Sequence, residues 1–576
     1  MKAILLLILA GSALAQAPVE KDVILRAMKD EIARARALRL VDEPPYFVEY
    51  SLDDGAFYYV HASMGALVGE RDSRERHPRV RIRVGETKLD NANHIASDAY
   101  RGSRFDPFRY PLDDNYEVLR HCFWLATDRA YKQSLEALAR KKASLKNVSN
   151  TENLADFSTA PAVKLLLPAV RRVVDTRQWR DRARELSAIF NAYPEIIGSD
   201  VSATVSQTTS YLVNNEGTEI RFPDNLAYLR ARASAIAPDG MKVYDLLDAL
   251  APEGAQLPSH AELKAAVTRV AENVRAMVKA PVGESYSGPV LFEGVAAAQL
   301  LAQTLSRNLS VSRRPVSDPD RPINIPTGDL EGRIGSRILP EWIDVVDDPS
   351  QREWRGRALM GYYPVDAEGV APKALPLVEK GVLKTYYGTR TPVQGVESTN
   401  GHGRIPGPMG SAVPLAGSVF VKASQVTPAA ELKKKLLEMG RQRNKPYVMV
   451  VRKLDFPSSA AREDLGRIAR GQSGVQVSMP LAIFRVYADG REELVRGLRF
   501  RNVNARTLKD ITAASDDLTT FEYLENGAPF ARIDSGGYVV GTSIVAPSLL
   551  FEDIELEKIP GDWPKPPLAP APPVSE

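Results

Sequence analysis

Three blocks in the second half of the chain decide the fold. They read Asp344-Val345-Val346-Asp347-Asp348-Pro349, Asp366-Ala367-Glu368-Gly369-Val370 and Leu377-Val378-Glu379-Lys380-Gly381-Val382-Leu383-Lys384-Thr385-Tyr386. The region around them is rich in strand-forming residues and turns. Asp347 and Asp348 come directly before Pro349, a sequence that initiates turns, although two adjacent carboxylates can also orient a cavity. The sequence alone leaves both interpretations open.

Two helices are expected around these blocks. The segments Gly294 to Leu309 and Ala429 to Arg441 are rich in Ala and Leu and poor in β-branched residues, as helix interiors prefer. Lys433-Lys434-Lys435 lies on the second helix and is expected to form a solvated face. Arg313-Arg314 comes before Pro315 and marks a loop.

The first half alternates between helical and strand patterns. An apolar spacing of three and four residues predicts a helix within Val19 to Arg39, ended by Pro44 and Pro45. Asp53-Asp54-Gly55 is expected to be the hairpin turn between the first two strands. The remaining predictions are strands at Tyr46 to Leu52, Ala56 to Leu67, Arg79 to Val84, Val201 to Leu212 and Glu219 to Ile220, and helices at Tyr116 to Lys146, Arg177 to Phe190 and from the capping box Ser259 and Glu262 to Lys279.

Length and composition describe a globular protein of at least two domains. The chain has 576 residues, 44% of them hydrophobic, and 75 basic against 72 acidic side chains. A formal charge of +3 gives no electrostatic footprint for nucleic acid, so no nucleic-acid partner is expected. Strands and helices without regular βαβ alternation favour an α+β fold, divided into domains at residues 16–280 and 281–558.

The two ends of the chain carry patterns of their own. Lys2, the apolar run Ala3 to Ala10 and Ala13-Leu14-Ala15 form the pattern of a secretory signal peptide, residues 1–15. The run is far shorter than the roughly 20 residues that span a bilayer, so we expect no membrane span and cleavage near Ala15. The sequence therefore predicts an exported protein, periplasmic or extracellular. Residues 559–576 form a Pro-rich tail.

Local motifs for metal or nucleophilic chemistry are missing. Cys122 is the single cysteine, and its apolar helical neighbours indicate a buried small hydrophobe. The six histidines are too far apart for an H-x-x-x-H or H-E-x-x-H zinc site. The chain also has no G-x-S-x-G elbow. Chemistry would have to be assembled from residues distant in sequence.

The three blocks, in this order, resemble the TldD/PmbA family of metallopeptidases, once called modulators of DNA gyrase. Ser398-Thr399-Asn400-Gly401-His402-Gly403-Arg404 is similar to the family's threonine-glycine-asparagine-glycine turn, and Val486 to Asp510 with Asp516-Asp517-Leu518 is similar to its closing strands and helix. Tyr211 to Ala231 resembles part of its N-terminal domain. The resemblance implies a two-domain α+β fold with a helix-and-strand N-terminal domain and a strand-rich C-terminal domain.

The resemblance fails at the family's zinc ligands. Family peptidases carry H-E-x-x-x-H at the start of a helix, whereas the corresponding window here, Phe292 to Ala297, keeps only Glu293. The family's third ligand, a cysteine, should fall near Ser535 to Thr542, where this chain has none. We therefore expect no zinc and no other cofactor. Glu293 is either a residual catalytic acid or a first-turn carboxylate favoured by the helix dipole.

Three functions follow as alternatives. One branch of the family lacks the zinc motif, so the resemblance implies a non-catalytic subunit that binds a peptide or unfolded polypeptide as an added strand, in a homodimer or in a heterodimer with a TldD/PmbA homologue. The chain could instead be an active metallopeptidase with divergent ligands or a zinc-bearing partner. A structural envelope protein is the third alternative.

The resemblance also suggests residues that line the family's cavity. These candidates are Phe292, Ala297, Asn400, His402 and Arg404. His402 is the best polar candidate because it lies in a Gly-rich turn.

Overall fold

The computed structural model of the chain describes residues 22–39, 43–95, 110–146, 153–170, 173–317, 328–406, 412–457, 477–525, 540–561 and 563. The predicted signal peptide at 1–15 and most of the tail predicted at 559–576 lie outside these ranges, as do residues 535–539 of the window considered for a cysteine ligand. Within these ranges, none of the helices has the length and apolar character needed to cross a membrane.

The helices lie close to where the sequence predicts them. The capping box at Ser259 and Glu262 is formed, and the helix that it starts ends at Lys279. The predicted helix at 294–309 begins as an α-helix, widens into one π turn at Ala302–Ser306 and ends in a 3-10 turn at Arg307–Leu309. The α-helices are α1 Val23–Ala35, α2 Tyr116–Ser144, α3 Thr176–Ala188, α4 His260–Lys279, α5 Val295–Leu301 and α6 Ala429–Gln442.

An eight-stranded sheet organises the first half of the described chain, with strand order β3-β2-β1-β6-β7-β5 and with β8 and β9 joined through β6. Helices α1 and α2 pack on one part of it and α3 and α4 on another. Its strands are β1 Pro45–Ser63, β2 Ala66–Glu86, β3 Leu89–Asp90, β5 Lys164–Leu166, β6 Gly198–Asn214, β7 Glu219–Pro223, β8 Leu226–Ile236 and β9 Lys242–Ala251, while β4 His94–Ile95 pairs elsewhere.

The hairpin turn predicted at residues 53–55 is wrong. Strand β1 runs straight through this stretch, with Gly55 paired to Glu75 on one side and to Thr208 on the other. The turn lies instead at Met64-Gly65, where both residues have positive φ, as a tight hairpin requires. The charge of Asp53 is compensated within the sheet by Arg79, 2.9 Å away. A sequence typical of turns can therefore lie in the middle of a strand.

An eleven-stranded sheet organises the second half, with strand order β16-β15-β12-β19-β25-β10-β20-β21-β22 and with β23 and β24 also paired to β25. Strand β25 thus touches β10, β19, β23 and β24. Strands from this half are β10 Tyr286–Phe292, β11 Val316–Ser317, β12 Ile343–Asp347, β13 Glu353–Trp354, β14 Arg357–Ala358, β15 Leu375–Glu379, β16 Val382–Leu383, β17 Gly403–Pro406, β18 Ala412–Pro414, β19 Ser418–Ala423, β20 Tyr447–Leu454, β21 Pro480–Tyr487, β22 Glu492–Val495, β23 Leu498–Arg501, β24 Ile511–Glu525 and β25 Val540–Lys558.

Each half has its own core, and small apolar clusters join the two halves. The largest core packs α5 and the second sheet, and two others pack helices on the first sheet. Tyr228 of β8 meets Met360 and Leu524 of the second half in one joining cluster. The domain boundary at residue 280 remains a prediction, although α4 does separate the two sheets in sequence.

Candidate functional site

The segment Ser398 to Arg404, picked out from the sequence, forms a tight turn leading into β17. Asn400 fixes it, because its Oδ1 accepts a hydrogen bond from the Gly388 amide at 2.7 Å and its Nδ2 donates to the Tyr386 carbonyl at 2.9 Å. Gly401 has φ +81°, and a Cβ there would stand 2.7 Å from the backbone of Pro372. Only glycine fits this position without strain.

His402 is held inside this turn and is fully buried. Its Nδ1 lies 3.0 Å from Asn400 Oδ1 and 3.1 Å from the Asn400 carbonyl. Because both of these atoms are acceptors, Nδ1 carries the hydrogen. The ring stacks on Tyr387 with centroids 5.2 Å apart. Its Nε2 faces Asp347 and has no hydrogen-bond partner in the described part of the chain.

The two aspartates before Pro349 differ in their surroundings, and only one of them initiates a turn. Asp347 is fully buried, and its Oδ2 accepts from the Gly417 amide at 2.8 Å. Asp348 instead closes a turn, since its carboxylate accepts hydrogen bonds from Ser350 and Gln351. One residue of the pair thus lies beside His402, and the other initiates a turn.

Two further buried acids, Asp366 and Glu368, flank the same segment. The oxygens of Asp366 accept from the amides of Glu368 and Val370 at 2.9 Å and of Gly403 at 3.0 Å. Burial raises the pKa of Asp366 to about 8, and the negative charge of Glu368 adds to the effect. A Cβ at Gly403 would stand 2.9 Å from Glu368 Oε2, so the acids are packed directly against this backbone.

Glu368 also connects the cluster to the first sheet. Its Oε1 lies 3.3 Å from Arg81 on β2, and its Oε2 accepts from the Arg390 amide at 2.6 Å. The fully buried Arg390 side chain reaches into the first half, donating to Glu216 at 2.7 Å and to the Ser158 carbonyl at 2.9 Å. The two halves therefore share one network of buried charges.

A polar face of the first sheet lies next to Arg404. Asp53 on β1 accepts from Ser210 on β6 at 2.7 Å and pairs with Arg79 at 2.9 Å. Asp224 lies in electrostatic range of Asp53, Arg79 and Arg404; its side chain is accessible to solvent, yet burial by surrounding protein and the charge of Asp53 raise its pKa to about 6. We call Asp53, Arg79, Ser210 and Asp224 the polar face.

Arg404 belongs to the second half and lies in electrostatic range of Asp224 in the polar face. Its guanidinium stands 3.8 Å from the centroid of the Tyr363 ring and donates to the Gly541 carbonyl at 3.2 Å. Tyr363 in turn donates to the Gly401 carbonyl at 2.8 Å. Asn400, His402 and Arg404 are thus brought together by one turn.

The other sequence candidates lie elsewhere. Glu293 stands just before α5 in a half-exposed ion pair with Arg452, at 2.5 Å, and Arg452 also pairs with Glu492. Phe292 is fully buried between Phe500 and Phe551. Ala297 is fully buried in the same core. Glu293, Phe292 and Ala297 therefore do not belong to the hydrogen-bond network around His402.

The residues present do not fit a zinc ion. No group of three or more His, Cys, Asp or Glu side chains in the described ranges is arranged to hold a metal. The one buried imidazole, His402, directs Nδ1 to Asn400, and its neighbour at Nε2 is a single carboxylate. A catalytic zinc needs three protein ligands around an open position.

Sequence reasoning missed several members of this site. Asp366 and Glu368 stand in a quoted block, but nothing marked them as buried partners of Gly403. Asp224 and Arg79 were not singled out at all, because their neighbourhood arises from pairing between strands far apart in sequence. Alternating polar residues on β1 and β6 were the one available signal of a polar face.

Comparison with known proteins places the fold. Residues 285–440 match the PmbA/TldA metallopeptidase C-terminal domain. A protein from Archaeoglobus fulgidus named metalloprotease is 31% identical over 78 residues, which is 14% of this chain and 17% of that protein's length. The sequence-based resemblance to the TldD/PmbA family is confirmed.

Solved structures agree over nearly the whole chain. A Thermotoga maritima protein described as a modulator of a DNA gyrase superposes with a TM-score of 0.57 at 15% identity, covering 92% of this chain and 99% of that one. TldE from Thermococcus kodakarensis gives 0.55 at 14% identity, covering 92% and 100%. A Bacteroides thetaiotaomicron protein described as a modulator of DNA gyrase gives 0.53 at 11%, covering 94% and 100%. These similarities confirm the predicted two-domain α+β fold.

Proposed function

This chain belongs to the TldD/PmbA family through its C-terminal domain, and from that premise we propose that it binds extended peptides without cutting them. The observation that carries the proposal is the polar face, whose Asp224 is exposed to solvent and lies in electrostatic range of Asp53, Arg79 and Arg404. A polar surface offers hydrogen bonds to a peptide main chain without demanding a particular peptide sequence.

The side chains available as metal ligands support peptide binding over peptide hydrolysis as the function. A zinc hydroxide needs ligands that hold the metal, and the described residues offer no group able to do so. Glu293 pairs with Arg452, which directs its carboxylate into a half-exposed ion pair. The proposal therefore assigns Glu293 a structural role.

Export and assembly are part of the same proposal. The leader pattern at residues 1–15 supports a protein that works outside the cytoplasm. The sequence resemblance to the branch of the family that lacks the zinc motif supports a role as one subunit of a dimer, either with a second copy or with a zinc-bearing homologue. In the heteromeric case, hydrolysis belongs to the partner.

The test is to combine peptide binding with cleavage and metal content. The mature protein is titrated into a labelled, unfolded polypeptide and followed by fluorescence anisotropy, while cleavage is measured with and without a chelator. We expect saturable binding, no stoichiometric zinc and no cleavage. Zinc in a one-to-one ratio with chelator-sensitive cleavage would overturn the proposal, and absence of binding would overturn its peptide-binding part.

Asp224→Ala and Asp489→Ala give a matched pair for this test. Asp224 lines the polar face, whereas Asp489 caps an exposed turn by accepting from the Arg491 amide. We expect the first variant alone to change peptide affinity. Equal effects of the two substitutions would show that the polar face is not the binding surface.

A further inference from the structure

A short hairpin, formed by β13 and β14, places three arginines on the surface of the second half. Trp354 pairs with Arg357 across the hairpin, and the two residues between them, Arg355 and Gly356, both have positive φ. This is the backbone of a tight two-residue turn, so a regular structure fixes the spacing of the arginines. Arg352, Arg355 and Arg357 are all exposed.

Aromatic rings hold two of these arginines in place. The guanidinium of Arg352 lies 4.9 Å from the centroid of the Tyr362 ring, and that of Arg355 lies 5.7 Å from the centroid of the Trp354 ring. Trp354 is itself packed against Phe420, with ring centroids 5.3 Å apart. A guanidinium placed over a ring keeps N–H donors in its own plane, where they can still bind a carboxylate. The hairpin therefore presents arginines that are positioned before any ligand binds.

Ion pairs within the protein do not neutralise these arginines. None of Arg352, Arg355 and Arg357 forms a salt bridge with an acidic side chain in the described ranges. Arg357 lies in electrostatic range of Glu262 at the start of α4, but that carboxylate accepts hydrogen bonds from Ser259 in the capping box. An anionic ligand would therefore reach the hairpin without displacing an acidic side chain of the protein.

A lysine on the neighbouring strand extends the positive surface. Lys422 lies two residues after Phe420 on β19, so both side chains point to the same side of this strand. Lys422 is exposed and forms no ion pair with any residue that the structure describes. The hairpin strands and their turn contain one acidic residue, Glu353. We call the following four residues the basic patch: Arg352, Arg355, Arg357 and Lys422.

The chemistry of the basic patch favours an anionic ligand, and its small size favours a polypeptide. Four cations with one acid among them suit a short run of carboxylates, since a planar guanidinium can bind a carboxylate through two parallel hydrogen bonds. Nucleic acid would need a longer basic stripe with many phosphate contacts, and the formal charge of the whole chain is only +3. The patch carries no exposed large apolar side chain that would insert into a lipid surface.

We propose that the basic patch binds a run of Asp and Glu residues in the polypeptide ligand, so that acidic stretches are preferred over neutral ones. This inference rests on the proposed function, because it takes the ligand to be a polypeptide, and it adds a charge preference to that function. Tyr363, whose ring lies against Arg404, is five residues from the end of the hairpin at Ala358. Five residues of chain span at most about 18 Å, so one extended polypeptide of about ten residues can contact both the patch and the polar face.

Fluorescence anisotropy with matched ligands tests the charge preference in the full mature chain. The labelled ligands are an unfolded peptide of alternating Glu and Ser and the same peptide with every Glu replaced by Gln, and unlabelled polyphosphate of the same charge is the competitor. The hairpin variant carries Arg352→Gln, Arg355→Gln and Arg357→Gln together. The control variant loses the same charge elsewhere, through Arg177→Gln, Arg337→Gln and Arg501→Gln, whose side chains are 88%, 51% and 63% exposed.

We expect the wild type to bind the Glu peptide about tenfold more tightly than the Gln peptide, with a difference that shrinks as ionic strength rises. The hairpin variant should lose this difference and the control variant should keep it. Lys422→Gln, which leaves the hairpin unchanged, should lose part of it. Affinity for the Gln peptide should be the same in all variants, which shows that each of them is folded.

The outcomes separate this inference from the proposed function. Equal affinities of the wild type for the two peptides, or the same loss in the hairpin and control variants, would overturn the basic patch while leaving peptide binding intact. Polyphosphate that binds more tightly than the Glu peptide would overturn a polypeptide as the ligand of the patch. Binding of neither peptide would overturn the proposed function and this inference with it.

Discussion

Nε2 of His402 stands 3.7 Å from Oδ2 of Asp347, and both side chains are fully buried. The other ring nitrogen donates toward Asn400, so the imidazole is held by hydrogen bonds at Nδ1 and faces a buried carboxylate at Nε2. A histidine held in this way acts as a packing and positioning residue, joining the turn at residues 398–404 to the end of β12. The consequence is structural and can be measured.

His402→Ala should therefore destabilise the fold. The substitution removes the stack on Tyr387 and leaves a cavity in a closed site, which costs about 2 to 4 kcal/mol of unfolding free energy. Urea titration measures the loss. His121→Ala, on the exposed side of α2, is the control and should shift the free energy by less than about 0.5 kcal/mol. Equal losses in both variants would contradict the assigned role.

Glu293→Gln should leave peptide binding unchanged. The residue is paired with Arg452, and both side chains are more than a third exposed, so the pair contributes about 0 to 1 kcal/mol to stability. Anisotropy with the labelled polypeptide and a thermal melt check both statements. A large loss of peptide binding would instead assign Glu293 a functional role.

Gly403→Ala should disturb the buried acids. The added Cβ would stand 2.9 Å from Glu368 Oε2 and 3.2 Å from Asp366 Oδ2. These carboxylate oxygens accept hydrogen bonds from backbone amides, so the added carbon would push them away from their donors. We expect a loss of about 1 to 3 kcal/mol in unfolding free energy. Gly69→Ala, where nothing lies within 4 Å of the added carbon, should be nearly neutral. The comparison fails if both variants unfold at the same denaturant concentration.

Glu522→Gln should stabilise the protein at alkaline pH. Glu522 accepts from Ser543 at 2.6 Å and from the Met360 amide at 3.1 Å, and burial raises its pKa to about 7. Since the folded state keeps a proton that the unfolded state has lost above the ordinary value of 4.5, wild-type stability falls as pH rises through this window.

The neutral amide has no such dependence. The stability of Glu522→Gln relative to wild type should therefore rise by about 1 to 3 kcal/mol between roughly pH 5 and pH 8. Chemical denaturation across that range measures the difference. The control is Glu552→Gln, an exposed partner of Arg443. A parallel pH profile for Glu522→Gln and wild type would contradict the shifted pKa.

Asp224→Asn should remove a pH dependence from peptide binding. Burial and the charge of Asp53 raise the pKa of Asp224 to about 6, so the carboxylate becomes charged as pH rises through this value. We expect a polypeptide rich in lysine to bind more tightly above this pH than below it. The variant should bind with equal affinity on both sides, and a retained pH step would assign the titration to another group.

Local patterns predicted the elements well where a local signal decides them. The capping box at Ser259 located the start of α4, and the Asn-Asn-Glu-Gly sequence located the turn between β6 and β7, because each signal acts over four residues. The turn prediction at Asp53-Asp54-Gly55 failed because its charges are compensated by Arg76 and Arg79 on β2, more than twenty residues further along the chain. The candidate site depends in the same way on contacts between residues distant in sequence, since Asp224, Arg79 and Arg404 come together only in the folded structure.

The position of β25 sets the order in which the second half can fold. Residues 540–558 follow β10, β19, β23 and β24 in the sequence, yet they pair with all four strands. The earlier strands therefore lack their central neighbour until residues 540–558 have been synthesised, whereas the first sheet can form before then. Because β10 and β25 are about 250 residues apart in sequence, long loops must close, so we expect this half to fold slowly.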